Sequence, residues 1–320
     1  MPRIRVAVRD WDYLTPLALG DIKPSRFELE LHRVTSLGGD LASSPDYDAG
    51  EVSFSRYAQS IARNECSLLA IPHFLMRGFR QRCIITTENS PLTSLDQLAG
   101  KRIGLTGWQD SGNTWTRALL REVGIEVEDA RWFVGRLTAQ DPIEDRLAGF
   151  GRPGVIEAAP DERPLLELLK AGELDAIFTA FMPEDFFAAG SGLRQLQVDF
   201  CQAESDYFKR VGFVPGIHLL AFKPALVEEF PWLPAALSEV IDHSAQLWLE
   251  KRLKYADTTP WLLDELRRTA QLLPANWNQN GYSVNLPMID AFAEELYRQG
   301  IVERRLTPSE LFPFCQTDRA

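Results

Sequence analysis

Short β-rich runs alternate with longer helical patterns along most of this 320-residue chain, and that alternation restricts the fold more than any other feature. Strands are predicted at 4–8, 27–34, 67–71, 83–87, 102–106, 130–134, 176–179 and 217–222. Helices are predicted between them, among others at 115–123, 163–171 and 233–253. Strand–helix alternation is the mark of a largely parallel sheet with helices on its faces. At about 100–200 residues per domain, the length suggests two such bodies. NSPLTSLDQLAGKRIGLTG places a loop, a short helix capped by Thr93 or Ser94, and a new strand, which reads as entry into a second lobe near residue 97. AESDYFKRVGFVPGIHLLAF reads as the return. The expectation is a two-lobed α/β clamp: residues 1–97 and 206–320 form lobe I, residues 98–205 form an inserted lobe II, and two crossovers form a hinge. Such a clamp closes on a small, anionic organic molecule in the cleft between its lobes. From about residue 224 the pattern is mostly helical, and Trp232, Trp248 and Trp261 there read as packing residues.

The net charge of −11 opposes DNA or RNA as the main partner, because phosphate binding needs a basic surface. A small anion needs only a local cluster of donors. Cys66, Cys83, Cys201 and Cys315 lie far apart without a CxxC pair, so they read as buried free thiols and not as a zinc, redox or disulfide framework. Met1 leads directly into the alternating run IRVAV, with no apolar leader and no run of about 18 apolar residues anywhere. This points to a cytoplasmic protein rather than an exported transporter component. The partners expected are a small anionic or aromatic ligand and, as an open option, further copies of the chain. Nucleic acid and membrane are not among them, and no metal is expected.

In parallel α/β sheets, ligands bind beyond the carboxyl ends of the strands. That rule selects Asp10, Trp11, Asp12, Tyr13 and Thr15 after the first strand, Glu51, Ser53, Ser55 and Tyr57 in EVSFSRY, His73 and Phe74 after SLLAIP, Ser111, Gly112, Asn113 and Thr114 after RIGLTG, and His218 in GIHLL. The segment GLTGWQDSGNTWTRALL is read as a strand, a polar loop and a helix beginning near Thr114. Free N–H groups at a helix start favour an anion, and plain N-capping by Ser, Asn or Thr has the same appearance. EVSFSRY repeats the device as a helix running through Ile61. There Glu51 is a ligand contact, an acid–base group, or only a favourable charge at a helix start. His32 and His243 occupy ordinary strand and helix positions. His73 and His218 sit near strand ends, where a group that exchanges protons near neutral pH is useful, and where a hydrogen-bonded structural histidine is equally at home. Arg77, Arg80 and Arg82 form a basic cluster in FLMRGFRQRCI, either as a carboxylate clamp or as solvated charges on a strand. No Ser–His–Asp pattern, HExxH motif, P-loop or GxGxxG fingerprint is present.

Several of these segments, in this order, resemble the 4,5-dihydroxyphthalate decarboxylase family, soluble relatives of the periplasmic binding proteins with the type II fold. The resemblance lies in DYLTPLALGDIKP, EVSFSRY, IPHFLMRGFRQRCI, LAGKRIGLTGWQDSGNTWTRALLREVGIE, FVPGIHLLAFKPALVEEFPWLP and the tail NGYSVNLPMIDAFAEELYRQGIVERRLTPSELF. It departs from the family at His73, at Gln81 and in the wording of the GWQDSGNTW loop. It implies a lyase of aromatic compound catabolism: a decarboxylase acting on a hydroxylated aromatic carboxylate without a cofactor. In that reading His218 is the proton donor and Glu51 or His73 its partner, with the roles of His218 and Glu51 exchangeable. Arg77, Arg80 and the Ser111–Thr114 segment are the clamps. The rival expectation is a solute-binding protein for a carboxylate or aromatic ligand, with no chemistry. A third is an enzyme with another reaction on the same fold, such as cofactor-precursor synthesis.

Overall fold

A computed structural model describes residues 1–35, 37 and 40–314. Its strands are β1 (Arg3–Arg9), β2 (Glu28–Val34), β3 (Ala49–Ser53), β4 (Leu69–Arg77), β5 (Ile84–Thr87), β6 (Arg102–Leu105), β7 (Arg131–Val134), β8 (Ile156–Ala158), β9 (Ala176–Phe178), β10 (Leu193–Gln195) and β11 (Gly216–Phe222). They form two sheets, ordered β2-β1-β3-β11-β4 and β10-β5-β9-β6-β7-β8. Among the described residues, no helix is long and apolar enough to cross a membrane.

The chain divides into two compact units. Unit 1 holds Met1–Met76, His218–Pro287 and the segment from Thr307 on, and unit 2 holds Arg77–Ile217 and Met288–Leu306. The inserted body therefore begins at residue 77 and ends at 217, not at 98 and 205. The reason is β5: its four residues pair antiparallel with β9 and β10, so the segment before the NSPLTSLDQL loop is already part of the second sheet. The helix Phe200–Val211 likewise stays with unit 2. The excursion Met288–Leu306 has no strand signal to announce it, since its entry falls inside the helix Tyr282–Arg298 beside Pro287.

In unit 1, β1 lies parallel to both β2 and β3, and β3 pairs antiparallel with β11. Alternate residues of β1 point to one core: Ile4, Val6 and Val8 pack with Leu220 and Phe222 of β11 and with Leu233, Leu237 and Ile241 of the long helix Leu233–Lys254. Side chains alternate across a strand, so this period of two buries one face of β1. Phe54, Phe74 and Phe312 form a separate ring cluster, and the Tyr57 hydroxyl donates to the Leu311 carbonyl at 2.7 Å. Trp232 packs into the first core beside Phe27 and Phe230. Trp248 lies under the Arg252 guanidinium. Trp261 departs from the packing expectation: it is 82% exposed, with a left-handed φ of 68° at the start of the helix Leu262–Leu272.

Unit 2 repeats part of this wiring. Its strand β6 lies parallel to β7 and β9, and β9 pairs antiparallel with β5. Ile85 and Ile177 meet the leucines of the helix Leu165–Lys170 in its core, and Trp132 stands edge-on to Trp108 and Phe178. The units also share a bracket. In unit 1, Arg5 of β1 donates its N–H and side chain to Asp48, the residue before β3. In unit 2, Arg102 of β6 makes the same set of bonds to Asp175, the residue before β9. Of the cysteines expected to be buried, Cys83 is, Cys201 is half-buried and Cys66 is exposed; Cys315 lies outside the described residues.

Candidate functional site

Glu51 is not at a helix start. It lies in β3, and the helix that follows runs from Phe54 to Ala62 with Ser53 as its cap. In the β3–β11 register, His218 stands opposite Ser53 and Leu220 opposite Glu51. Opposed residues and their diagonal neighbours share a face, so Glu51 and His218 are within reach of one another. The His218 Nδ1 is 2.5 Å from Glu51 Oε1. The other carboxylate oxygen accepts from the Arg9 backbone N–H at 2.8 Å and the Trp11 indole N–H at 2.9 Å. Gly50 permits this arrangement, because a Cβ there would lie 2.6 Å from the Ala7 carbonyl oxygen of β1.

The Glu51 side chain is completely buried, and His218 keeps 13% of its side-chain surface. A buried carboxylate is tolerated when its acceptor positions are filled, as here by three donors. With Nδ1 engaged by Glu51, His218 Nε2 has no hydrogen-bond partner among the described residues. A carboxylate on Nδ1 fixes the orientation of the ring and leaves Nε2 as the nitrogen that can exchange a proton with a ligand.

The neighbouring candidates fall into place differently. Asp12 is exposed. The Tyr13 hydroxyl donates to the Leu75 carbonyl at 2.6 Å, and burial, reinforced by the Glu51 charge, holds the phenol well above its ordinary proton affinity. Ser53 Oγ accepts from the Arg56 N–H at 3.5 Å. Ser55 is fully buried and accepts from the Gln59 amide at 3.4 Å. His73 does not join the pair. Its ring bonds Ser238 Oγ at 2.7 Å and the Asn280 amide at 3.4 Å, whereas Glu51 is bonded by Arg9, Trp11 and His218. The cause is strand length: β4 runs on to Arg77, so His73 is inside the strand and not at its end. Trp11 is the residue that sequence reading left without a role. An aromatic directly after the first strand was its only signal.

In unit 2 the arginines do not form one cluster. Arg77 closes β4, and Arg82 pairs with Glu204, whose bond raises its proton affinity. Arg80 is buried and donates to Thr116 Oγ1 at 3.2 Å and the Thr179 carbonyl at 2.8 Å. Ser111, Gly112, Asn113 and Thr114 are not a loop before a helix. They are the buried first turn of the helix Ser111–Glu122. The Asn113 amide donates to Thr106 Oγ1 and the Gly107 carbonyl, and the Thr114 hydroxyl donates to the Asp110 carbonyl. What faces this turn is Arg80: a Cβ on Gly112 would lie 3.0 Å from its Nη2. A guanidinium against the positive end of a helix favours an anion nearby. Among the described residues, no group of three or more His, Cys, Asp or Glu side chains stands where it would hold a metal ion.

A 4,5-dihydroxyphthalate decarboxylase from Comamonas testosteroni is 28% identical over 318 residues, covering 97% of this chain and 96% of that protein. The chain resembles the 4,5-dihydroxyphthalate decarboxylases from end to end. A protein of the same name from Pseudomonas putida is 30% identical over 169 residues, covering 52% of this chain and 66% of its own. No family model matches the chain. Among solved structures, the alkanesulfonate-binding protein SsuA from Xanthomonas axonopodis pv. citri, bound to MOPS, superposes with a TM-score of 0.58 at 13% identity, over 97% of this chain and 98% of that one. The fold is thus of the type II periplasmic-binding-protein kind, while the sequence relatives carry the name of a decarboxylase.

Proposed function

We propose that this protein is a decarboxylase of a hydroxylated aromatic carboxylate of the 4,5-dihydroxyphthalate kind, with His218 as the proton donor. The observation that carries the reading is the Glu51–His218 pair: a buried carboxylate on Nδ1 and an imidazole whose Nε2 has no hydrogen-bond partner among the described residues. In a phenolate para to a carboxylate, the ring carbon bearing the carboxylate is nucleophilic. It takes the proton from Nε2 of the imidazolium, forming a dienone. The bond to the carboxylate then breaks, CO2 leaves, and the bonding electrons return to the ring and restore the phenolate. Water returns a proton to His218. Glu51 stabilises the imidazolium before the transfer. The complete burial of Glu51 favours His218, and not Glu51, as the group that meets the substrate. Within unit 2, Arg80 and the turn Ser111–Thr114 are the element suited to holding a carboxylate.

The test is CO2 release from hydroxylated benzoates and phthalates by the wild type and by His218→Asn. General acid–base catalysis contributes about 100- to 10,000-fold. Turnover falls by that factor in the variant while ligand affinity stays within a few-fold, because asparagine keeps a hydrogen bond and carries no exchangeable charge. A wild type that binds these compounds tightly and releases no CO2 overturns the enzyme reading and leaves a binding protein. A variant that keeps full turnover moves the donor elsewhere.

A further inference from the structure

Unit 2 buries a cation that the proposed reaction does not use. Arg117, in the helix Ser111–Glu122, is 3% exposed, and its guanidinium lies 4.0 Å from the centre of the Trp108 ring. Its Nε donates to Gln299 Oε1 at 2.7 Å, and Nη2 donates to the Trp108 carbonyl at 2.8 Å and Thr114 Oγ1 at 3.3 Å. Nη1 is buried without a partner. Burial pushes the proton affinity of the group down to about 9, which still leaves it charged at neutral pH. The carboxylates that influence it, Asp110 and Glu295, form no ion pair with it: Glu295 is taken by Arg121 and by the Gln299 amide. A buried charge is ordinarily paired, because removing it from water costs more than neutral hydrogen bonds return.

Arg117 also lines a pocket of about 330 Å³ within unit 2. That volume is in the usual range for small-molecule sites. The other arginines on its wall are matched, Arg121 by Glu295, Arg152 by Glu128 and Arg298 by Glu294. Ile125, Phe150 and Ile156 supply apolar wall. One unmatched cation beside apolar surface fits a carboxylate with an organic body better than a bare inorganic anion.

We propose that this pocket is a second ligand site, for a small organic carboxylate held by Arg117, separate from the Glu51–His218 pair. The inference does not depend on the decarboxylase reading. The probe is 4-bromobenzoate on the full chain, located in crystals by the anomalous signal of bromine and measured in solution by titration calorimetry. A bromine peak in this pocket with the carboxylate on Arg117 is expected, together with saturable binding. Gly151→Leu fills the pocket while leaving Arg117 in place; its Cβ meets Leu147 at 3.5 Å, an ordinary contact, so the backbone accepts it. It should weaken this binding at least tenfold, and His218→Asn should leave it unchanged. Arg117→Met should weaken it equally. No bromine peak in the pocket, a peak without saturable binding in solution, or full affinity in Gly151→Leu overturns the proposal. Inorganic phosphate competing as well as benzoate overturns its organic character.

Discussion

Trp11 holds one oxygen of Glu51 while His218 faces the other, so removing the indole N–H changes the orientation of the carboxylate without removing any group of the pair. A hydrogen bond to a charged group contributes roughly 1.5–3 kcal/mol. On the proposed reaction, Trp11→Phe should lower kcat by about 10- to 100-fold and leave KM within a few-fold, measured by steady-state CO2 release. A merely structural indole would lower the melting temperature and leave kcat of the folded variant in place. Glu51 and His218 were both legible as single residues, because each follows from the rule that ligands meet strand ends. Their pairing was one of two options, with Glu51 or His73 beside His218; the choice between them was not legible, since the contact spans 167 residues and depends on the register of β3 against β11. Trp11 was selected by the same rule but without a role, because its bond to Glu51 depends on how β1 and β3 lie side by side. His73 was misplaced because a prolonged strand has no boundary mark of its own.

Gly50 decides whether β3 can lie beside β1 at all. With Ala7 opposite Gly50 in the parallel ladder, an added methyl group would collide with a backbone carbonyl that has no rotamer to escape into. Overpacking of this kind costs typically 1–3 kcal/mol. Gly50→Ala is expected to lower the urea midpoint accordingly and to reduce turnover further, because the shift falls next to Glu51. Coincident unfolding curves for wild type and variant would remove this account of the glycine. The strand itself was invisible in the sequence. AGEVS is short and contains glycine, and EVSFSRY runs smoothly into a helical pattern, so Glu51 was assigned to a helix. Pairing with β1 on one side and β11 on the other imposes the extended form that local preference leaves undecided. Most other strands were recoverable because their Val, Ile and Phe content is bounded by turn residues, as in β1, β6 and β11.

Across the molecule, the Arg5–Asp48 and Arg102–Asp175 brackets pin the first parallel pair of each unit. Burial alone would raise both aspartates, and it is the largest single influence, but the combined bonds and charge of the arginines hold them below the usual carboxylate range. A depressed folded-state value means that this stabilisation is fully present above the unfolded aspartate pKa of about 3.9 and is lost as pH falls through the folded value. Asp48→Asn should speed amide exchange in β1 and β3, and Asp175→Asn in β6 and β9, at neutral pH; the difference from wild type should fade toward pH 3. Variants indistinguishable at neutral pH would show the brackets to be inert. The repeat of wiring between the units was only partly legible, because the NSPLTSLDQL loop looks more like a boundary than the strand β5 before it. The path of the chain also sets a schedule for its birth on the ribosome. When β3 emerges, its later neighbour β11 has not yet been translated, so one margin of the strand stays bare until His218 has cleared the exit tunnel. A nascent chain stalled or cut before that point carries an unprotected strand margin and a glutamate without its imidazole, which makes unfinished copies of this protein natural clients for a chaperone.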